Sequence, residues 1–446
     1  MRNLRLTFWG LAALVTMLWL LADLSIFRSS GFFAIRSAAV QYSGALAIAC
    51  MSVAMMLAIR PRWPEHGLGG LDKMYRLHKW LGIAALVTAI AHWLWAKGPK
   101  WAVGWGWLER PSRGPQPPAS NPVEALFASL RHTAEGLGEW AFYAVVALIA
   151  VALIQRIPYR FFYRTHRLLA LAYLVLVFHA VILTTFSYWL SPYGLTLAAL
   201  LACGTGAAIL ILSRRAGRDR QVPGRIAAIH HYPGVRALET IVDMGEGWPG
   251  HRPGQFAFAV SDPAEGPHPY TIASAWREDE RRITFITKGL GDHTRRLPEK
   301  LHVGQEIRIE GPYGCFTFDD DSARQIWIGG GIGITPFIAR MKYLAQSPEG
   351  ARAEIDLFHC TAEVDEEALG KLQADAAAAH IRLHVLVDAR DGRLDGERIR
   401  AAVPEWREAS LWFCGPLGFG ETLRRDFAAL GFPVAKRFHQ ELFAMR

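Results

Sequence analysis

Hydrophobic positions crowd into the first half of the chain. Apolar runs cover residues 6–27, 35–59, 72–96, 138–155, 161–190 and 193–212. At ~1.5 Å rise per residue each approaches or exceeds the ~30 Å of a hydrocarbon core, so the pattern predicts six membrane spans. From residue 221 the runs shorten and turn residues separate them. GRIAAIHHY, ALETIVDM, QFAFAVS, YTIAS, RITFITK and EIRIEG follow one another as short strands, the signature of a small antiparallel barrel. RQIWIGG then leads into a glycine-rich turn and a helical stretch, and EIDLFHC, IRLHVLV and SLWFCG alternate with further helical stretches. That alternation predicts a parallel βαβ sheet. The expected organisation is a six-helix transmembrane bundle over 1–213, a basic hinge at 214–220, a β-barrel over 221–320 and an α/β Rossmann-like domain over 321–446.

Polar residues inside the apolar runs are the informative ones. Leu71–Lys97 carries His78 and His92, and Arg160–Leu190 carries His166 and His179. Separations of 14 and 13 residues put the two imidazoles of each helix about 20 Å apart along its axis, one near each face of the bilayer. Ionisable groups at such depths are costly and mark functional sites. Two such helices side by side offer two His–His pairs at two depths, the arrangement by which a bundle holds six-coordinate haem. At ~100° per residue, His92 returns to within about 40° of the face of His78, whereas His179 lies about 140° from His166. The second helix therefore needs a bend, a π-bulge or different ring approaches.

Charge orients the bundle. Arg60, Arg62, Lys73 and Arg76, then Arg156, Arg160, Arg164 and Arg167, occupy short loops that alternate with sparser ones, which places both termini in the cytoplasm. Arg2 and Arg5 precede a first run too long for a signal-peptide core, so it reads as an uncleaved anchor. The net charge of +9 calls for no nucleic acid: the excess lies in these loops and in Arg214, Arg215, Arg218 and Arg220, beside anionic lipid. Cys50, Cys203, Cys315, Cys360 and Cys414 are scattered without a CxxC, which argues against an iron–sulfur cluster, a zinc site or a disulfide scaffold. The segment 98–137 reads as an external loop, with His132 at its surface or near the outer site. Trp93, Trp95, Trp101, Trp105 and Trp107 form an interfacial aromatic belt, or in part a cap over the outer site.

Four stretches of the second half carry chemistry. In His268-Pro269-Tyr270-Thr271-Ile272-Ala273-Ser274, an aromatic beside a hydroxyl at a strand end suits a flat ring. In Lys288-Gly289-Leu290-Gly291-Asp292-His293-Thr294, a lysine and amides before a helix start suit a pyrophosphate. In Gly329-Gly330-Gly331-Ile332-Gly333-Ile334-Thr335-Pro336, glycines let amides approach a phosphate, with Pro336 in the first helical turn. Cys414-Gly415-Pro416 ends a later strand, where a small thiol fits against a nicotinamide. In this order, with Glu310-Gly311-Pro312-Tyr313-Gly314 between, these motifs resemble the ferredoxin–NADP reductase superfamily. With the histidine-bearing bundle in front, the chain resembles the NADPH oxidase/ferric reductase family in its compact bacterial form.

The resemblance implies FAD in the barrel, NAD(P)H on the α/β domain and two b-type haems in the bundle. Tyr270 and Thr271 would contact the isoalloxazine, with His268, Pro269, Ser274, Lys288, Gly291 and Thr294 on the flavin side. Gly330, Gly331, Gly333, Thr335 and Pro336 would lie under the nucleotide phosphates. Cys414, with Gly415 and Pro416, would approach the nicotinamide, and Phe443 in FHQELFAMR would shield the flavin face. Thr271, Cys414 and Phe443 are thus the candidate catalytic residues, and His78, His92, His166 and His179 the metal ligands. Hydride would pass from NAD(P)H to FAD, and single electrons through the inner haem (His78/His166) and the outer haem (His92/His179) to an acceptor outside. That acceptor is expected to be O2 giving superoxide, with a ferric or cupric chelate, or a periplasmic protein docking on the long loop, as alternatives. Lys73, Arg76 and Arg164 are placed either to neutralise haem propionates or to serve as anchoring charges. One departure concerns the donor. Cys360-Thr361-Ala362-Glu363 stands where an arginine often reads the 2′-phosphate of NADPH, which leans the expectation to NADH or dual use. The setting expected is the inner membrane.

Overall fold

The computed structural model describes residues 2–24, 31–109, 119, 121–154, 156–262, 265–347, 350 and 353–442. The chain divides into two compact units at Asp219/Arg220, with Gly69–Asp72 grouped with the second.

The first unit is helical: α1 (Arg2–Ala22), α2 (Phe32–Ala58), a short α3 (Glu65–Leu68), α4 (Leu71–Gly104), α5 (Pro122–Leu153), α6 (Tyr159–His166), α7 (Leu168–Leu183) and α8 (Pro192–Leu212). With α6 and α7 taken as one stretch, six segments are long and apolar enough to span a membrane. Two boundaries correct the hydropathy reading. Helix α4 runs seven residues past Lys97, through Pro99, and α5 begins at Pro122, where the Asn121 side chain caps the N–H of Glu124 at 2.9 Å. Most of the expected loop 98–137 is therefore helix. Hydropathy registers only the apolar part of a span, whereas an Asn cap followed by Pro starts a helix regardless of polarity. Pro99 has no N–H to offer the carbonyl of Trp95. Arg36 of α2 compensates, donating to Trp95 O at 3.2 Å and Ala96 O at 3.1 Å.

The fifth span breaks at Arg167, between α6 and α7. Its guanidinium turns toward the end of α8, donating to the carbonyls of Leu212 (3.3 Å) and Ile211 (3.5 Å), a favourable place for a cation. The break falls between His166 and His179, whose thirteen-residue spacing calls for a bend, a π-bulge or different ring approaches.

The second unit contains two sheets. Strands β1 (Gln221–Tyr232), β2 (Ala237–Met244), β3 (Phe256–Val260), β4 (His268–Thr271), β5 (Arg282–Lys288) and β6 (Glu306–Tyr313) form an antiparallel sheet in the order β4-β3-β6-β1-β2-β5. A bridge from Ile272 to Phe285 joins its two ends into a barrel. Ile226, Val242, Trp248, Ile272, Ile283, Phe285 and Ile309 fill the interior. Glu310 is fully buried in β6; it accepts from the Tyr313 hydroxyl at 2.6 Å and faces Arg220 at 3.6 Å. Arg220, expected beside lipid, is thus held by a barrel carboxylate. Helix α9 (Asp292–Lys300) follows β5.

Strands β7 (Arg324–Gly330), β8 (Glu354–Thr361), β9 (Arg382–Val387), β10 (Ser410–Cys414) and β11 (Phe438–Gln440) form the second sheet, all parallel, in the order β11-β10-β7-β8-β9. Helices α10 (Thr335–Gln346), α11 (Glu366–Ala378), the single turn α12 (Asp388–Asp391), α13 (Gly396–Ala402), α14 (Leu417–Ala429) and α15 (Val434–Arg437) connect them. Alternate residues serve opposite faces. Trp327 packs with Phe337 and Leu357 in one core, while Ile326 and Ile328 pack with Phe413 and Phe427 in the other. Strand β11 opens the FHQELFAMR segment and pairs with β10. The strand order reverses between β7 and β10, and ligands of open α/β sheets bind at the carboxyl edge of such a switch point.

Candidate functional site

In the membrane unit the four histidines form two pairs. The rings of His78 and His166 have centres 5.9 Å apart and planes 65° apart. Those of His92 and His179 are 6.1 Å apart with planes at 81°. With metal–imidazole bonds of about 2 Å, two rings trans on one ion have centres roughly 6 Å apart, so both pairs fit a single metal between them. The second-shell contacts agree. His78 Nδ1 donates to Ala54 O (3.0 Å), His92 Nδ1 to Val40 O (2.9 Å) and His179 Nδ1 to Ala134 O (2.9 Å). A ring that gives its Nδ1 proton to a carbonyl keeps Nε2 as the electron-pair donor, the pattern of a metal-ligating histidine. α4 and α7 do not pack backbone to backbone along their lengths, whereas α5 lies along α7 and α2 along α8. The ring pairs thus span a slot, as a flat prosthetic group held edge-on between helices requires.

Around the outer pair, Lys97 of α4 meets Glu139 of α5 at 2.6 Å, and Tyr143 donates to the same carboxylate at 2.9 Å. Trp93 stacks on Phe142 inside the bundle, while Trp101, Trp105 and Trp107 are exposed, as a belt requires. His132 is exposed on α5.

In the barrel, Tyr270 and His268 share a face of β4, and His293 from α9 joins them. His268 and His293 stack at 3.6 Å, and His293 Nε2 lies 2.9 Å from the Tyr270 hydroxyl. Glu265 bonds His293 Nδ1 and accepts from Lys300 at 2.6 Å. Lys300, then His293, holds the Glu265 carboxyl down at about 2, and burial lowers His268 to about 4. Thr271 is buried at the end of β4. Three of the assigned residues have partners within the protein. The Ser274 hydroxyl accepts the Thr284 N–H at 3.0 Å, a role within the barrel. The amides of Leu290 and Gly291 both donate to Thr294 Oγ1 at 3.0 Å, so that threonine caps its own helix with the groups expected to meet a pyrophosphate. Lys288, assigned with them, pairs instead with Glu363 at 2.8 Å. Arg236 bonds the same carboxylate.

At the switch point, the loop after β7 meets the loop after β10. A Cβ on Gly330 would lie 2.8 Å from Pro416 Cδ, and one on Gly333 would lie 2.2 Å from the Cys414 carbonyl oxygen. Both glycines therefore serve loop-to-loop packing, with Gly415 against Gly330. Gly331 alone faces open space, at φ +56°. The Thr335 hydroxyl donates to Ile332 O at 2.7 Å, and Pro336 is buried in the first turn of α10. Cys414 is fully enclosed, and burial, helped by the Glu441 charge, pushes its thiol well up. A pocket lined by Gly331, Ile332, Lys288, His359, Thr361 and Glu363 continues from this edge. Phe443 lies outside the described residues. Sequence reading missed Glu441, a buried carboxylate two residues before it, and the carbonyls of Val40, Ala54 and Ala134, which have no sequence signal.

Residues 43–177 match the family described as ferric reductase like transmembrane component, a stretch that contains His78, His92 and His166. Stachydrine N-demethylase reductase subunit Stc4 of Rhizobium meliloti is 29% identical over 209 residues, 43% of this chain and 58% of that protein. Vanillate O-demethylase oxidoreductase of Pseudomonas putida is 32% identical over 178 residues, covering 39% and 54%. A flavohemoprotein of Deinococcus radiodurans is 26% identical over 215 residues, covering 44% and 52%. The chain spans about half the length of the curated relatives it matches. Fold and motifs together define a class, a polytopic membrane bundle fused to a reductase-type dehydrogenase half. Within it, residues 43–177 are similar to the ferric reductase like transmembrane component, and the second half is similar over about half their length to the reductases named above.

Proposed function

We propose that this protein carries electrons from cytosolic NAD(P)H across the membrane to an acceptor on the outer face, most simply O2, giving superoxide. The observation that carries the reading is the two histidine pairs at 5.9 and 6.1 Å, with Nδ1 of His78, His92 and His179 held by backbone carbonyls. FAD would split the two-electron donor into one-electron steps, and two b-type haems would span a hydrocarbon layer too thick for a single transfer. His78 and His166 would hold the inner haem, His92 and His179 the outer. Tyr270 and Thr271 would orient the flavin ring, and Cys414 at the switch point would meet the nicotinamide. The alternation of arginine-rich loops supports an inner-membrane setting with both termini cytoplasmic. Glu363 supports NADH as the better donor, since a carboxylate there opposes a 2′-phosphate and suits a ribose diol.

The matched family's description favours a second acceptor, a ferric chelate. One experiment separates the two. The purified protein is reduced anaerobically with NADH and mixed rapidly with aerated buffer or with ferric chelate while the haem bands are followed. Re-oxidation by O2 within milliseconds to seconds, with dismutase-sensitive superoxide, is the expected result. Slow re-oxidation that ferric chelate accelerates overturns the oxidase in favour of the metalloreductase. If neither acceptor drains the haems, a periplasmic protein is the remaining partner.

A further inference from the structure

The outer histidines are held by helices that carry no ligand of their own, and both in the same way. His92 Nδ1 donates to Val40 O on α2; the residue four positions on is Gly44, where a Cβ would lie 3.1 Å from His92 Nδ1 and Cε1. His179 Nδ1 donates to Ala134 O on α5; the residue four positions on is Gly138, where a Cβ would lie 1.9 Å from His179 Nδ1 and 2.5 Å from Cε1. Helix geometry explains the repeat. The carbonyl of residue i points along the axis at the N–H of residue i+4, so a second donor reaching that oxygen must pass over the i+4 side chain. An imidazole arriving in the plane of the carbonyl comes close to that position, and at both outer rings the position is glycine, with the ring atoms lying where its Cβ would be or against it.

We propose that Gly44 and Gly138 are positioning residues: each forms a notch that admits an outer imidazole to a backbone carbonyl and so sets its tautomer and ring plane. The inference rests on the haem reading above for its consequence but not for its geometry. His78 differs: it reaches Ala54 O past the methyl of Ala58, the last residue of α2, so the glycine notch belongs to the outer rings.

The test compares Gly138→Ala and Gly44→Ala with Gly136→Ala in the full-length protein. Gly136 is on the same helix as Gly138 and its Cβ would meet nothing within 4 Å, so it controls for the change in helix propensity. Two readouts are taken: the tautomer of ring-15N-labelled histidines by NMR on haem-depleted protein, and the low-spin EPR signal and midpoint potential of the outer centre on the loaded protein. Gly138→Ala should lose the Nδ1–H signature of one histidine and the outer low-spin signal. Gly44→Ala, needing only a few tenths of an ångström, should shift both without loss, and Gly136→Ala should match the wild type. Wild-type tautomers in Gly138→Ala, or equal losses in Gly136→Ala, overturn the proposal whatever the haem content. If the tautomers respond as stated but the wild type binds no haem, the notch stands and the electron-transfer reading falls.

Discussion

His92 and His179 face each other with planes 81° apart, and each gives its Nδ1 proton to a helix other than those that bear the pair. Near-perpendicular rings are a consequence of those two carbonyls pulling from different helices. Four helices therefore define this site, although only two carry the paired rings.

Arg36 should matter to the same end of the bundle. It satisfies the carbonyls of Trp95 and Ala96 beside Pro99, one turn beyond His92. Arg36→Met leaves both acceptors without that donor, at a cost of about 1–3 kcal/mol. Thermal bleaching followed at the haem bands should show the outer centre lost at lower temperature than in the wild type, with the inner centre unchanged.

Glu363 should govern donor choice. Its carboxylate occupies the space between Lys288 and Arg236, and the first of these cations holds its pKa below the ordinary carboxylate value. Glu363→Gln removes the repulsion toward a 2′-phosphate and releases two cations to meet it. The KM for NADPH in flavin reduction should fall about tenfold, while the KM for NADH rises. An unchanged ratio would remove Glu363 from donor selection.

Two glycines at the switch point should differ from a third. Gly333→Ala drives a methyl into the Cys414 carbonyl oxygen and should cost about 1–3 kcal/mol, the range for overpacking. Gly331→Ala meets no neighbour but inherits φ +56°, a strain of roughly 1 kcal/mol. Chemical denaturation followed by flavin release should rank Gly333→Ala below Gly331→Ala. The reverse order would mean that the two loops do not meet as described.

Acid should weaken the dehydrogenase half. Burial lowers His251 and His359 to about 4, and each ring donates to a backbone carbonyl, of Ser274 at 3.0 Å and Gly329 at 3.3 Å. Between an ordinary value near 6.5 and 4, the unfolded chain binds protons that the folded chain refuses, so stability is full above that window and falls as pH drops through it. Glu265, held at about 2, stays charged in the folded state while the unfolded chain takes up its proton near the ordinary 4.5, so it adds to the same fall at the acid end of the window. The melting temperature followed by flavin fluorescence should be lower at pH 5 than at pH 7.5, and His251→Gln with His359→Gln should narrow the gap.

Much of this was legible in the chain because its physics is local. Six apolar runs, two histidine pairs and the alternation of strands with glycine-rich turns each follow from period and composition. The thirteen-residue spacing of His166 and His179 called for a bend, a π-bulge or different ring approaches, and the helix is interrupted between them at Arg167. What was hidden depends on partners remote in sequence. No pattern announces that Val40 and Ala134 carbonyls hold imidazoles from other helices, or that Arg36 serves Pro99. The packing role of Gly330 and Gly333 was hidden for the same reason: only the fold brings the second loop, at Cys414–Pro416, against them. The helical parts of 98–137 were hidden by their polarity.

The central claim is a wire across the membrane, and a sealed system tests it most directly. Full-length protein in liposomes, oriented with the dehydrogenase half outward, is given NADH outside and a membrane-impermeant electron acceptor trapped inside. The account predicts that the trapped acceptor is reduced by the wild type. In His78→Leu and His92→Leu that reduction should stop, while NADH still reduces the flavin. Persistent reduction of the trapped acceptor in either variant would contradict it.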